Sequence, residues 1–394
     1  MPYLPKSVSQ LLEVFRPCFS ARTYTTFVAL VTGLIAAPAR RTVCGMLTAA
    51  RMAGVWHHGR AHRFFATAQW SLDQVGLTMV GLVVGWLTPA GAPLVVAVDD
   101  TLFRRAGRKV HGAFWANDGS RKVAAGQEKL SRGTTFVVAA LVVELPFLER
   151  PIALPVLYRL WRPGGPTTPT LAQELITLIA GIRPDRRVHV VTDGASLCRT
   201  LRHLPSNVTL TGPPPRHAGL YELHPDSAQA QQSRRRGRPR VRAQLVRVIA
   251  VREPRTPGFA VVTTDLTSST AQIIERHAAR WAIEIAFHDA THLTGAGEAR
   301  NRTRRAVERT APFVILVHTL VVLWYHLAGH SPKVVTEHRR RARWYTTKTH
   351  PSYQDMLIKL RRVLIAAHYR ADLAGDPTLE QIHAIRLAWA DAAA

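Results

Sequence analysis

Two stretches decide how this chain folds: Pro93-Leu94-Val95-Val96-Ala97-Val98-Asp99-Asp100-Thr101 and Arg187-Val188-His189-Val190-Val191-Thr192-Asp193-Gly194. Each is a short, valine-rich run that passes abruptly into aspartate. Runs of this kind fit strands buried on both faces of a sheet. Their carboxyl ends are where the ligand crevices of open α/β sheets lie, so Asp99 and Asp193 are expected at strand ends on one rim. Side chains alternate along a strand, so only one of Asp99 and Asp100 faces such a crevice, and both remain candidates.

Working outward, Thr135 to Leu145, Pro151 to Tyr158 and Val208 to Leu210 read as further strands, with a helix over Leu171 to Gly181 and another over Leu197 to His203. Two more strands are expected over Gln244 to Arg252 and Phe259 to Thr264. A long helix should start near Ser268 or Ser269 and run past Glu284, and another should cover Val307 to Leu327. The fold class is therefore mixed α/β. We divide the chain into a helical region at 1–88 that would dock on DNA, a first core segment at 89–211, a basic β-rich insertion at 212–264, a last core segment at 265–330 and a basic helical region at 331–394.

The 394 residues carry 52 Lys and Arg against 26 Asp and Glu, for a net charge of +26 and a pI near 11.3. Only seven of those cations are lysines. Guanidinium groups grip phosphates through a planar fork, so the balance points to a nucleic-acid partner. Within the insertion, Ser233-Arg234-Arg235-Arg236-Gly237-Arg238-Pro239-Arg240 includes a core similar to an AT-hook, and Arg236, Arg238 and Arg240 are candidate DNA contacts in a minor groove or on phosphates. Cys18, Cys44 and Cys198 are too scattered for a zinc cluster or a disulfide framework, which suits a reducing compartment. The uncharged stretch at 75–98 is broken by Pro89, Gly91 and Pro93, and the one at 310–329 contains His318 and His326. Both read as buried core elements, not membrane spans, and the expected location is cytoplasmic.

Acids are scarce, which narrows the chemistry. Cutting a phosphodiester with divalent cations needs hard carboxylate ligands converging from separate elements. Residues 277–292 supply a third acid: Ile283, Phe287 and Ala290 can face a core, while Arg280, Glu284 and Thr291 fall along one side of a helix. Arg280 and Glu284 stand one turn apart, a phosphate fork beside a carboxylate. Asp289 and Glu298 are weaker substitutes for Glu284. Glu284, His288 and His292 also have helical metal-ligand spacing, but zinc there would occupy the carboxylate that DNA chemistry needs.

These residues resemble the DDE transposases of bacterial insertion sequences, which have an RNase H-like core. Asp99-Asp100-Thr101 is similar to the family's first Asp-x-Thr, and Val191-Thr192-Asp193-Gly194 to its second acid. Arg280-Trp281-Ala282-Ile283-Glu284 resembles the Tyr-x2-Arg-x3-Glu-x6-Lys helix, with His277 at the Tyr position and Thr291 at the Lys position. The resemblance implies that Asp99, Asp193 and Glu284 are catalytic and hold two Mg2+ ions, with Mn2+ a plausible replacement. It implies that Arg280 and His277 fix a phosphate and that Trp281 is a candidate base-stacking residue. The partner would be double-stranded DNA, both element ends and target, bound by a dimer or higher assembly. A catalytically inactive DNA-binding relic, suggested by Thr291, and a nuclease without strand transfer are the alternatives.

Overall fold

A computed structural model of the chain describes residues 4–392 apart from 38–40, 125, 194–200, 202, 215–245, 254–255, 343, 345 and 373–377. At its centre lies β1 (Leu94–Arg104), whose Leu-Val-Val-Ala-Val start is the apolar run quoted above. It pairs antiparallel with β3 (Leu130–Val143) and parallel with β5 (Val188–Thr192). On the far side of β3 lies β4 (Ile152–Trp161), antiparallel, and on the far side of β5 lies β6 (Val208–Gly212), parallel. The order β4-β3-β1-β5-β6, three antiparallel strands followed by two parallel ones, is the RNase H-like arrangement. A short β2 (Phe114–Asn117) pairs with the start of β3. From Gly133 to Leu141 every residue of β3 is buried, so both of its faces are covered, as continuous apolar strands require.

Two expectations change here. Asp99 does not end its strand: β1 runs on to Arg104, because its second half keeps pairing with β3 (Asp99 opposite Val138, Arg104 opposite Gly133) after its parallel partner β5 has stopped at Thr192. The other concerns the insertion. Its strands β7 (Arg247–Glu253) and β8 (Thr256–Thr263) form a hairpin that joins the same sheet through β8 on β6, with Thr211 opposite Thr263 and their hydroxyls 2.7 Å apart. Arg236, Arg238 and Arg240 lie outside the described residues, as does most of the 197–203 segment.

Helices α1 (Lys6–Glu13), α2 (Ala21–Ala36), α3 (Val43–Ala49), α4 (Gly59–Ala66) and α5 (Leu72–Leu87) fill the region expected to be helical. Ser20, Thr42 and Ser71 accept hydrogen bonds from the first-turn amides of α2, α3 and α5, which is what fixes those starts. Their apolar faces share one continuous core with the sheet, running from Val8 to Leu364. After β4 comes α6 (Thr168–Ile182), packed on β1, β3 and β4. Later come α7 (Thr270–Ala279), α8 (Ala282–His292) and α9 (Arg304–Trp324). The uncharged 310–329 stretch falls in α9 and the turn after it. An 18-residue window of this element is apolar enough to cross a membrane, yet 83% of it is buried inside the molecule. Phe313 of α9 meets Phe27, Phe64 and Phe65 edge-on at 5.3 to 6.1 Å. Arg309 donates to the carbonyls of Ala68 (2.8 Å) and Trp70 (2.6 Å), tying α9 to the loop after α4. At the C-terminus, α10 (Lys333–Arg341), α11 (Tyr353–Asp372) and α12 (Leu379–Asp391) close the fold. Arg361 of α11 donates to the carbonyls of Ile35 and Ala37 at the end of α2.

Candidate active site

The expected single helix from 269 past Glu284 is two helices. Between α7 and α8, Arg280 and Trp281 keep right-handed dihedrals, but their amides reach back three residues, to His277 and Ala278 at 3.2 Å each. This tight turn redirects the chain, and each helix has its own footing. The start of α7 is held by Asp265, buried at 2% exposure. One of its oxygens accepts from the amides of Thr267 and Ser268, and the other pairs with Arg276 at 3.1 Å and faces His189 of β5 at 3.6 Å. Burial pushes the Asp265 carboxyl up, yet the bonds from Ser268 and Thr267 outweigh it and hold it far below the usual range. Burial and Arg276 hold the His189 imidazole down at about 4. Helix α8 packs instead on β4, β1 and α9 through buried Ile283, Ala286, Phe287 and Ala290, the face anticipated from their spacing.

The turn delivers Arg280 between two of the expected acids. Its Nη1 lies 2.9 Å from Oδ2 of Asp99, and its Nη2 lies 3.1 Å from Oε1 of Glu284. Arg280 and Asp99 are mostly buried, with side chains 16% and 14% exposed, whereas Glu284 is 36% exposed. This separates Asp99 from Asp100: Asp99 turns to the Glu284 helix and its Oδ1 accepts from the Asp100 amide at 2.9 Å, while Asp100 is exposed. Asp193 follows the last residue of β5, on the strand next to β1, and its charge acts on both Asp99 and Asp100. Burial pushes the Asp99 carboxyl up to about 7 against the pull of Arg280 and the Asp100 amide, with Asp193 and Asp100 adding to the rise. Partial desolvation of its carboxyl beside Asp99, then the charge of Asp193, likewise raises Asp100.

The remaining expected residues gather around the same turn. His277 is half-buried, 6.3 Å from the ring of Phe259, and its Nδ1 makes no hydrogen bond; burial and then Arg280 lower its pKa. Trp281 is 60% exposed. Thr291 is exposed, and Nδ1 of His292 donates to the carbonyl of His288, 2.8 Å away, which leaves His292 engaged locally. Among the described residues, no three of His, Cys, Asp and Glu converge closely enough to hold a metal ion in this arrangement. The expected triad is thus assembled only in part, because the Arg280 guanidinium stands between Asp99 and Glu284. Sequence reasoning gave little weight to the cations on the second half of β1 and the loop after it, whose signal is the Arg- and Lys-rich stretch from Arg104.

A sequence profile of the family described as DDE superfamily endonuclease matches residues 14–278, and the chain belongs to that family. The matched stretch contains Asp99 and Asp193 and stops just short of Arg280 and Glu284. No curated protein matches the chain. A solved piggyBac transposase synaptic complex with hairpin DNA is similar at a TM-score of 0.43 and 9% identity, covering 99% of this chain and 83% of that one. That family makes the protein a DDE-type endonuclease, in a superfamily that generally uses divalent metal ions. The donor set fits such ions: Asp99, Asp193 and Glu284 offer hard carboxylate oxygens, and like-charge repulsion among Asp99, Asp100 and Asp193 is what a bound cation would relieve.

Proposed function

We propose that the chain is a transposase that cleaves DNA at the ends of its own element and joins the freed 3′-hydroxyl to target DNA. The observation that carries this reading is the Arg280 bridge, which draws Asp99 of the central strand to Glu284 of α8 beside Asp193 on the neighbouring strand. Asp99, Asp193 and Glu284 would hold two Mg2+ ions, or Mn2+ in their place. When bound, the ions supply activation of the attacking oxygen and stabilisation of the leaving one. The chain's own groups do the rest. Arg280 fixes a phosphate with the fork that otherwise spans two carboxylates. His277, three residues before Arg280, is the second candidate contact for that phosphate. The indole of Trp281 offers an exposed face for a base unstacked at the cut. Double-stranded element ends and target DNA are the substrates, held by a dimer or larger assembly associated with the nucleoid in the cytoplasm.

The test is supercoiled DNA carrying the element's ends, incubated with Mg2+. Asp193→Ala and Glu284→Ala should each abolish nicking and joining while end binding persists. Cleavage untouched by either change refutes the triad. End binding by the parent protein without cleavage, under Mg2+ or Mn2+, points instead to an inactive DNA-binding relic, a reading that Thr291 and the separated carboxylates favour. Cleavage without joining leaves a nuclease.

A further inference from the structure

The two elements that carry Asp99 and Glu284 meet again at a second place. Beyond the carboxylates, β1 continues to Arg104 and passes into a loop at 105–110. Beyond α8, the chain turns through Gly295 (φ +75°) and Gly297 (φ +96°). At Gly297 the positive φ is what calls for glycine, and the returning segment lies against β1, where a Cβ would be in ordinary contact with Cβ of Phe103 at 3.4 Å. Arg105 locks the two together, with Nη2 2.6 and 2.7 Å from the carbonyl and side-chain oxygens of Asn301, and the His111 amide donates to the carbonyl of Arg302 at 3.0 Å.

Between them runs a groove of two adjoining hollows. One, about 810 Å3, lies between the 104–110 loop and residues 297–302. The other, about 910 Å3, continues past Arg302 toward His62 and α4. Its charge is one-sided. Among the described residues, no acid pairs with exposed Arg108, Lys109, Arg300 or Arg302, and the bonds of Arg105, 6% exposed, go to the neutral oxygens of Asn301. The acid on the wall, Glu298, is already taken by Arg41, which donates to it from its amide at 2.8 Å and from its guanidinium at 3.4 Å. A row of cations held open without counter-charges, too long for a single phosphate, suits a polyanion of regular spacing.

We propose that this groove holds the sugar-phosphate backbone of duplex DNA whose neighbouring stretch lies at the carboxylates. The five residue steps from Asp99 to Arg104 span about 17 Å of extended strand, roughly half a turn of B-DNA. A duplex seated at the acids therefore reaches the groove within the same turn. Contact here is to phosphates, so it is independent of sequence. The placement beside the cut rests on the function proposed above; the charge of the groove does not.

Full-length protein is titrated with a fluorescent random-sequence duplex of about three helical turns in EDTA, across a salt series, reading anisotropy. Arg300→Gln/Arg302→Gln should make the slope of log affinity against log salt shallower by about 1.8, at about 0.9 for each lost phosphate contact. Arg108→Gln/Lys109→Gln should do the same from the opposite wall. The control, Arg183→Gln/Arg187→Gln, removes equal charge at the amino-terminal end of β5, away from the acids, and should leave the slope unchanged. An unchanged slope in both groove variants overturns the proposal, as does an equal change in the control. Because no cleavage is read, an inactive parent protein would count against the proposed function and leave this measurement intact.

Discussion

Replacing His318 with phenylalanine should remove a large part of this protein's sensitivity to mild acid. His318 sits on α9 with no exposed surface, its ring stacked 4.1 Å from that of Tyr353, and neither nitrogen makes a hydrogen bond. Burial holds the imidazole down at about 3, from an ordinary 6.5. The folded state therefore resists a proton that the unfolded chain accepts. The stability tied to this residue is fully present above the unfolded value of 6.5 and is lost as pH falls from there toward about 3. One proton of difference costs about 1.4 kcal/mol per pH unit, so about 2 kcal/mol disappears between neutrality and about pH 5. Phenylalanine keeps a ring against Tyr353 and cannot titrate. Urea unfolding at about pH 7.5 and about pH 5 should show the parent losing about 2 kcal/mol more than His318→Phe over that interval. His189, also held low, titrates in both proteins and cancels. At neutral pH the variant should be at least as stable, since two unbonded buried nitrogens are removed. Parallel losses in both proteins would refute the argument.

Arg309→Gln should destabilise the fold by about 2–4 kcal/mol, because two charge-assisted bonds to the carbonyls of Ala68 and Trp70 are lost; urea midpoints check this, and a change below about 0.5 kcal/mol would show that the loop holds itself. Arg280→Lys keeps the charge but gives up the fork, so it should engage Asp99 or Glu284 but not both. DNA cleavage by it should fall at least about tenfold, and activity within about twofold of the parent would rule out a need for two-way contact. Gly297→Ala imposes a left-handed alanine at φ +96° beside Phe103 and should cost about 1–2 kcal/mol in thermal or urea unfolding.

Asp193 is readable from sequence because its valine-rich strand is short, buried throughout and followed at once by the acid. Asp99 is harder. The same kind of run precedes it, but the strand's continuation depends on pairing with β3, thirty and more residues downstream, and no local pattern reports a partner that far away. The α8 face is readable because Ile283, Phe287 and Ala290 recur at helical spacing. The turn ahead of it is not, since Arg280 and Trp281 carry no helix-breaking residue; the bend comes from anchoring α7 at Asp265 and α8 on β4. From sequence, Arg300 and Arg302 are merely the nearest cations downstream of Thr291, too far along the chain to replace a lysine there. Only the glycine turn at 295–297 brings them back beside β1.

The separate footings of α7 and α8 have a mechanical consequence. One piece of the rod is pinned through Asp265 and Arg276 to the hairpin side of the sheet, the other to the β4 side. Any relative shift between those sides is concentrated in the two residues that join them. Those residues carry the guanidinium that spans the acids and the exposed indole. A load applied at the hairpin, such as a strand of DNA drawn across it, would be felt first at Arg280, with Glu284 left standing on its own base.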